Sequence, residues 1–221
     1  MSPGPRAALF DLDGLLVDSE PAWTRAEREL YEAMGGTWSQ EIKAACVGRP
    51  MDGIVRAILE RAPRPLPVGE ARAVLGYRIV ELFAAGLTAK PGARDLVSAM
   101  VRRAIPTAVV SSSVRVLVES ALAAFPPGSF RVIVTGDDVR RHKPHPEPYL
   151  TAARQLGVEP RQCTVFEDSP AGVESGLAAG CVVVAVPGTV PVSARPGVTV
   201  LKSLSDFAIN EGEARLAPTG P

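Results

Sequence analysis

The sequence predicts an α/β fold in which a parallel sheet carries a block of helices inserted after its first strand. Three observations predict it. Short apolar, β-branched runs alternate with helical stripes through most of the chain, the pattern of strands joined by helical crossovers. The stretch from Ser19 to Gly86 breaks that alternation, with helical stripes and no strand. The 221 residues, 46% of them hydrophobic, suffice for one large domain or for a core plus an insertion.

The apolar run Ala7–Phe10 reads as the first, buried strand. In the inserted block, Trp23, Ala26, Leu30 and Met34 recur at helical spacing, with Pro21 suited to the first turn and Gly35-Gly36 closing the helix. Ile54, Val55, Ile58, Leu59 and Ala62 form a second stripe. Leu75, Ile79, Leu82 and Phe83 form a third, after a Pro-rich link from Pro63 to Pro67. The way back, Gly86 to Pro91-Gly92, reads as a hinge. The expected domains are a core of residues 1–18 and 87–221 and a helical cap of residues 19–86.

Past the hinge, Ala93, Leu96, Val97, Met100 and Val101 mark a helix, and Thr107–Val110 the second strand. Val116, Leu117, Ser120, Ala121 and Ala124 predict the next helix, and Arg131–Thr135 the third strand. Tyr149, Ala153 and Leu156 predict a helix stopped by Gly157, ahead of a fourth strand at Thr164–Phe166. Val173 and Leu177 follow on a helix with Gly180 placed for a left-handed C-cap. Cys181–Val186 is the fifth strand and Val198–Leu201 a weaker sixth. The stretch from about Glu211 to Pro221 is rich in Gly, Pro, Ala and charge, and is expected to fray.

Composition narrows the partners. Lys and Arg number 24 against 24 Asp and Glu, so no net charge points to nucleic acid or an anionic membrane. No apolar run approaches the roughly 20 residues of a membrane span. Met1 to Arg6 lacks the apolar core of a signal peptide. Cys46, Cys163 and Cys181 show no metal-type spacing and read as buried thiols in a reducing cytoplasm. The expectation is a cytoplasmic monomer.

Open α/β sheets bind ligands beyond the carboxyl ends of their strands. The first strand ends in Asp11-Leu12-Asp13-Gly14. Two carboxylates about 4 Å apart repel by roughly 4 kcal/mol at an effective dielectric near 20. No Lys or Arg in the motif relieves this, whereas Mg²⁺, a hard cation that takes oxygen ligands, does. The second strand leads to Ser111, Ser112 and Ser113. The third leads through Gly136-Asp137-Asp138 to Lys143-Pro144-His145-Pro146, and the fourth to Glu167, Asp168 and Ser169. Turn formation, helix capping or a solvated cation explains each one alone. Together they supply what phosphoryl transfer needs.

In that chemistry Asp11 is the nucleophile that becomes an aspartyl-phosphate. Asp13 protonates the leaving alcohol and then deprotonates the attacking water. Lys143 and Ser111, with Ser112 beside it, bind the phosphoryl oxygens. Asp11, the Asp13 carbonyl, Glu167 and Asp168 hold Mg²⁺.

These motifs resemble those of the haloacid dehalogenase superfamily, in order and spacing, over nearly the whole chain. Asp11-Leu12-Asp13-Gly14 resembles its first motif, Ser111 its second, Lys143-Pro144 its third, and Phe166-Glu167-Asp168-Ser169-Pro170-Ala171-Gly172 its fourth. The helical insert resembles the cap of the β-phosphoglucomutase-like branch. Asp18-Ser19-Glu20-Pro21-Ala22-Trp23 is similar to the hexose- and hexitol-phosphate phosphatases, including the 2-deoxyglucose-6-phosphate type. The resemblance implies a Rossmann-like core, Mg²⁺ and a mobile helical lid. It implies a phosphatase of small phosphorylated metabolites such as sugar or polyol phosphates. A phosphosugar mutase and a non-catalytic phosphometabolite-binding protein are the alternatives. The mutases place a cap histidine about where Trp23 stands, and the only histidines here are His142 and His145, in the core. In the cap, Trp23, Arg49 and Lys43 are the candidates for contact with substrate. Dehalogenases of the superfamily lack the second aspartate of the first motif, which Asp13 supplies here.

Overall fold

The computed structural model describes residues 6–47, 49–188, 190–209 and 216–218. The chain divides into two compact units, Met1–Asp18 with Thr88–Pro221, and Ser19–Leu87. Strand β1 (Ala7–Phe10) opens the first unit and β2 (Val17–Asp18) leaves it. The second unit holds α1 (Glu20–Ala33), α2 (Gln40–Cys46), α3 (Met51–Leu59) and α4 (Val68–Ala84). Strand β3 (Thr88–Ala89) returns antiparallel to β2, pairing Val17 with Ala89 and Asp18 with Thr88. The segment read as a hinge, Gly86 to Pro91-Gly92, thus includes β3 in its pairing with β2.

The first unit then alternates. Helix α5 (Ala93–Arg102), β4 (Thr107–Val110), α6 (Arg115–Leu122), β5 (Val132–Val134) and α7 (Glu147–Leu156) follow in turn. After them come β6 (Cys163–Glu167), α8 (Pro170–Ala178), β7 (Val182–Ala185), β8 (Val198–Val200), β9 (Phe207–Ile209) and β10 (Leu216–Pro218). Six strands form one parallel sheet in the order β5-β4-β1-β6-β7-β8. Helices cover such a sheet on both faces, so its strands read as continuous apolar runs rather than alternating ones. Every residue of β1, β4 and β6 is buried. Phe10 lies beside Phe166 in register, their rings stacked at 4.8 Å between centroids.

Capping explains the helix ends. Ser169 Oγ accepts from the Gly172 N–H at 3.1 Å and Pro170 occupies the first turn, both favourable starts for α8. Gly157 ends α7 with φ +70°, the left-handed cap that its position in the sequence predicts.

Several expectations need correction. Helix α2 was not legible, although Ser39 caps it by accepting from the Ile42 N–H at 3.3 Å. On α6 the buried face runs through Leu117, Val118 and Ala121, while Val116 is half exposed. Strand β6 reaches Glu167, so that carboxylate belongs to the sheet itself. Part of the tail expected to fray, Leu216–Pro218, pairs antiparallel with β9, and the rest of it, 211–215 and 219–221, lies outside the described residues. The three cysteines are buried and free. Among the described residues no helix is long and apolar enough to cross a membrane.

Replacing Phe10 by Ala removes one partner of the central stack and leaves a cavity, at an expected cost of about 3–5 kcal/mol. Urea unfolding followed by circular dichroism reads this as a lower midpoint at unchanged slope.

Candidate active site

Parallel register brings four chain segments to one edge of the sheet. Phe10 pairs with Val109 on one side and Phe166 on the other, so Asp11 emerges level with Val110 and Glu167, and Ser111 follows directly after Val110. The Asp11 N–H donates to Phe166 O at 3.0 Å, and the Ser111 N–H to Val134 O at 3.0 Å. The loop after β5 carries Lys143 back under this edge. Its ammonium donates to Asp11 Oδ1 (2.5 Å), Glu167 Oε1 (2.6 Å) and Val110 O (2.8 Å). The Lys143-Pro144 peptide bond is cis.

Asp11, Glu167 and Asp168 each present an oxygen within 4.8 Å of the others, a group able to hold a metal ion. Oxygens alone suit a hard cation such as Mg²⁺. The electrostatics fit as well. Burial pushes the Asp11 carboxyl well up, Lys143 pulls it back, and Glu167, Asp168 and Asp13 push it further up. Burial and Glu167 raise Asp168 to about 7. Burial opposes the Lys143 charge, but Asp11 and Glu167 outweigh it and hold the ammonium above its ordinary range. One ammonium among four carboxylates leaves negative charge that a divalent cation would balance.

The glycines make room for these carboxylates. Gly14 adopts φ +88°, and a Cβ there would run into Asp168 Oδ2. A Cβ at Gly188 would fall 2.8 Å from the same oxygen. A Cβ at Gly172 would overlap the Glu167 carboxylate.

Asp13 is held from the far side. Its Oδ2 accepts from Ser113 Oγ at 2.9 Å and Ser111 Oγ at 3.2 Å, and Ser111 Oγ accepts from the Ser113 N–H at 3.0 Å. Its Oδ1 is buried with no hydrogen-bond partner among the described residues. Ser113, which the sequence alone does not single out for a role, is therefore the second serine on Asp13. Ser112 is exposed, and its carbonyl lies where a Cβ on Gly136 would sit. A Ser-x-Ser spacing at a strand end carries that signal, since residues two apart share a side.

Glu167 is more committed than its place in the sequence suggests. Its Oε1 accepts from Lys143 and from the Tyr149 hydroxyl at 2.7 Å. Its Oε2 accepts from the Asp168 N–H, the Ser169 N–H and Ser169 Oγ at 3.0–3.2 Å. The Glu167 carboxylate, expected among the Mg²⁺ ligands, thus already accepts five hydrogen bonds, and one of its oxygens also lies in the metal-capable group with Asp11 and Asp168. In the sequence alone, Tyr149 reads only as one position of the helical stripe with Ala153 and Leu156.

In the helical unit, Trp23 meets Phe83 edge to face, 6.4 Å between centroids, and is partly buried. Arg49 is exposed. Lys43 is already paired, 2.6 Å from Glu20 Oε1 and 2.8 Å from Glu27 Oε2, so it is not a free cation awaiting a substrate.

A profile of haloacid dehalogenase-like hydrolases matches residues 5–180. Hexitol phosphatase A of Escherichia coli (strain K12) is 38% identical over 186 residues, 80% of this chain and 81% of that protein. Validoxylamine A 7′-phosphate phosphatase of Streptomyces hygroscopicus subsp. limoneus is 35% identical over 179 residues, 79% of this chain and 82% of that one. The crystal structure of CbbY from Rhodobacter sphaeroides in complex with phosphate superimposes with a TM-score of 0.78 at 29% identity, covering 91% of this chain and 96% of that one.

The raised Asp168 value sets a pH dependence. An acid whose pKa is higher folded than unfolded binds its proton more tightly in the fold, so stability falls as pH rises between the two values. With a chelator present, stability is expected to drop from about pH 4 to about pH 7, with Asp11 contributing in the same direction. Urea midpoints across that range check it, and Asp168→Asn should flatten the slope.

Proposed function

Because the chain belongs to the haloacid dehalogenase-like hydrolases, in the β-phosphoglucomutase-like branch, and is a phosphoric monoester hydrolase, we propose that it dephosphorylates small sugar or polyol phosphates through an aspartyl-phosphate on Asp11. The observation that carries this reading is the meeting of Asp11, Asp13, Lys143 and Asp168 at one sheet edge, with a buried oxygen of Asp13 left unpartnered. Asp11 and Asp168 would hold Mg²⁺, together with the Asp13 carbonyl. When bound, the ion supplies positive charge that screens an anionic nucleophile from an anionic substrate.

The residues then divide the work. The Asp11 carboxylate attacks phosphorus, an O–P bond forms, and the ester O–P bond breaks. Asp13 Oδ1, free of protein partners, is the oxygen placed to give its proton to the leaving alkoxide, while Ser111 and Ser113 hold Oδ2. Water next attacks the phosphorus of the acyl phosphate, Asp13 takes the water's proton, and the Asp11 O–P bond breaks to release inorganic phosphate and restore the carboxylate. Lys143 neutralises Asp11 and a phosphoryl oxygen as charge moves between them. Ser111 changes partner from Asp13 to the phosphoryl group.

Likeness to hexitol phosphatase A supports the polyol or sugar phosphate class and does not favour the mutase alternative. The helical unit is read as the part that selects among such substrates, with Trp23 and Arg49 as its candidate contacts.

Release of phosphate from an aryl phosphate is expected with Mg²⁺ and is expected to stop with a chelator. Asp11→Asn should abolish turnover without unfolding the protein, and substantial residual turnover in a clean preparation refutes the nucleophile. Asp13→Asn is expected to slow both steps, by about 10²–10⁴-fold for a lost general acid–base. An unchanged pH–rate profile in that variant would remove Asp13 from the role.

A further inference from the structure

Tyr149 takes no part in the chemistry above, yet it reaches into the charged centre. It is fully buried in the first turns of α7, packed in the core cluster with Leu9, Val110 and Val165. Its hydroxyl donates to Glu167 Oε1 at 2.7 Å, and its ring centroid lies 5.0 Å from the Lys143 ammonium. We propose that Tyr149 is a positioning residue that, through Glu167, keeps Lys143 on Asp11.

Donors and acceptors at this point of the core are closely matched. An ammonium has three N–H groups. Lys143 directs them to Val110 O, Glu167 Oε1 and Asp11 Oδ1. Glu167 Oε2 is pinned at the start of α8 by two N–H groups and the Ser169 hydroxyl. Only Oε1 faces Lys143, and it is shared between Lys143 and Tyr149. Without the phenol, Oε1 has the ammonium as its sole donor among the described residues, and its full charge draws Nζ toward Glu167 and away from Asp11. The ring adds a second restraint, since its negative face attracts the cation and closes the space beneath it. Glu167 is thus a tuned counter-charge, strong enough to keep Lys143 protonated and weak enough to leave it on the nucleophile.

The inference rests on the phosphatase reading for its kinetic test and is independent of it for its structural test. Tyr149→Phe keeps the ring and removes one oxygen, so the core retains its shape. Its kcat on an aryl phosphate is expected to fall about tenfold with KM within about twofold, as loss of a hydrogen bond to a charged group would give. In a Glu167→Gln background the same change is expected to alter kcat less than about twofold, because residues acting through one another are not additive. A crystal structure of Tyr149→Phe should show Nζ withdrawn from Asp11 Oδ1. Three results each overturn the proposal: a Tyr149→Phe enzyme with native kcat, even if it melts earlier; equal losses in both backgrounds; or an unmoved Nζ. If the wild-type enzyme releases no phosphate from any phosphorylated metabolite, the phosphatase reading fails and the position of Nζ alone decides the role of Tyr149.

Discussion

The buried ammonium of Lys143 is the interaction on which the centre depends. A charge out of water must be paired or it will not stay charged. Lys143 is paired with oxygens that follow or belong to three neighbouring strands: Asp11 after β1, Val110 at the end of β4 and Glu167 at the end of β6. None of these segments is near Lys143 in sequence. Neutralising the nucleophile and tying together the ends of the strands are therefore one set of contacts. Loss of either acid would leave Lys143 underpaired.

Around that cation the acids outnumber the bases, and backbone shape makes the crowding possible. Gly14, with its positive φ, and Gly188 flank the Asp168 carboxylate, and Gly172 lies against Glu167. Side chains at these points would fill space the carboxylates occupy. The motif Asp11-Leu12-Asp13-Gly14 is thus partly a chemical requirement and partly a steric one, with the glycine serving an acid that lies 154 residues later in the chain. Burial first, and then the neighbouring acids, raise Asp11 and Asp168, and a group of oxygens alone suits a hard cation.

Legibility followed the range of the forces involved. Strands β1 and β4 were readable to the residue because burial on both faces demands an unbroken apolar run. Helix α2 escaped because its seven residues bury only Ile42 and Cys46, too few to make a stripe. Periodicity alone puts Val116 on the apolar stripe of α6, and the packing buries Val118 in its place. At the site, residue types were legible and partners were not. Ser112 and Ser113 differ only in which side of the turn they occupy. Glu167 looked like any acid beside Asp168, and its five donors come from three separate places.

By itself the sequence determined the parallel α/β core, the helical insertion and the kinds of group that meet, because periodicity, strand ends and acid–base chemistry are local properties. Tertiary structure decided which oxygen meets which donor: Ser113 on Asp13, Tyr149 on Glu167, Lys43 on Glu20 and Glu27. Those choices depend on the approach of segments far apart in the chain to within a hydrogen bond's length, a distance set by the packing of the whole unit.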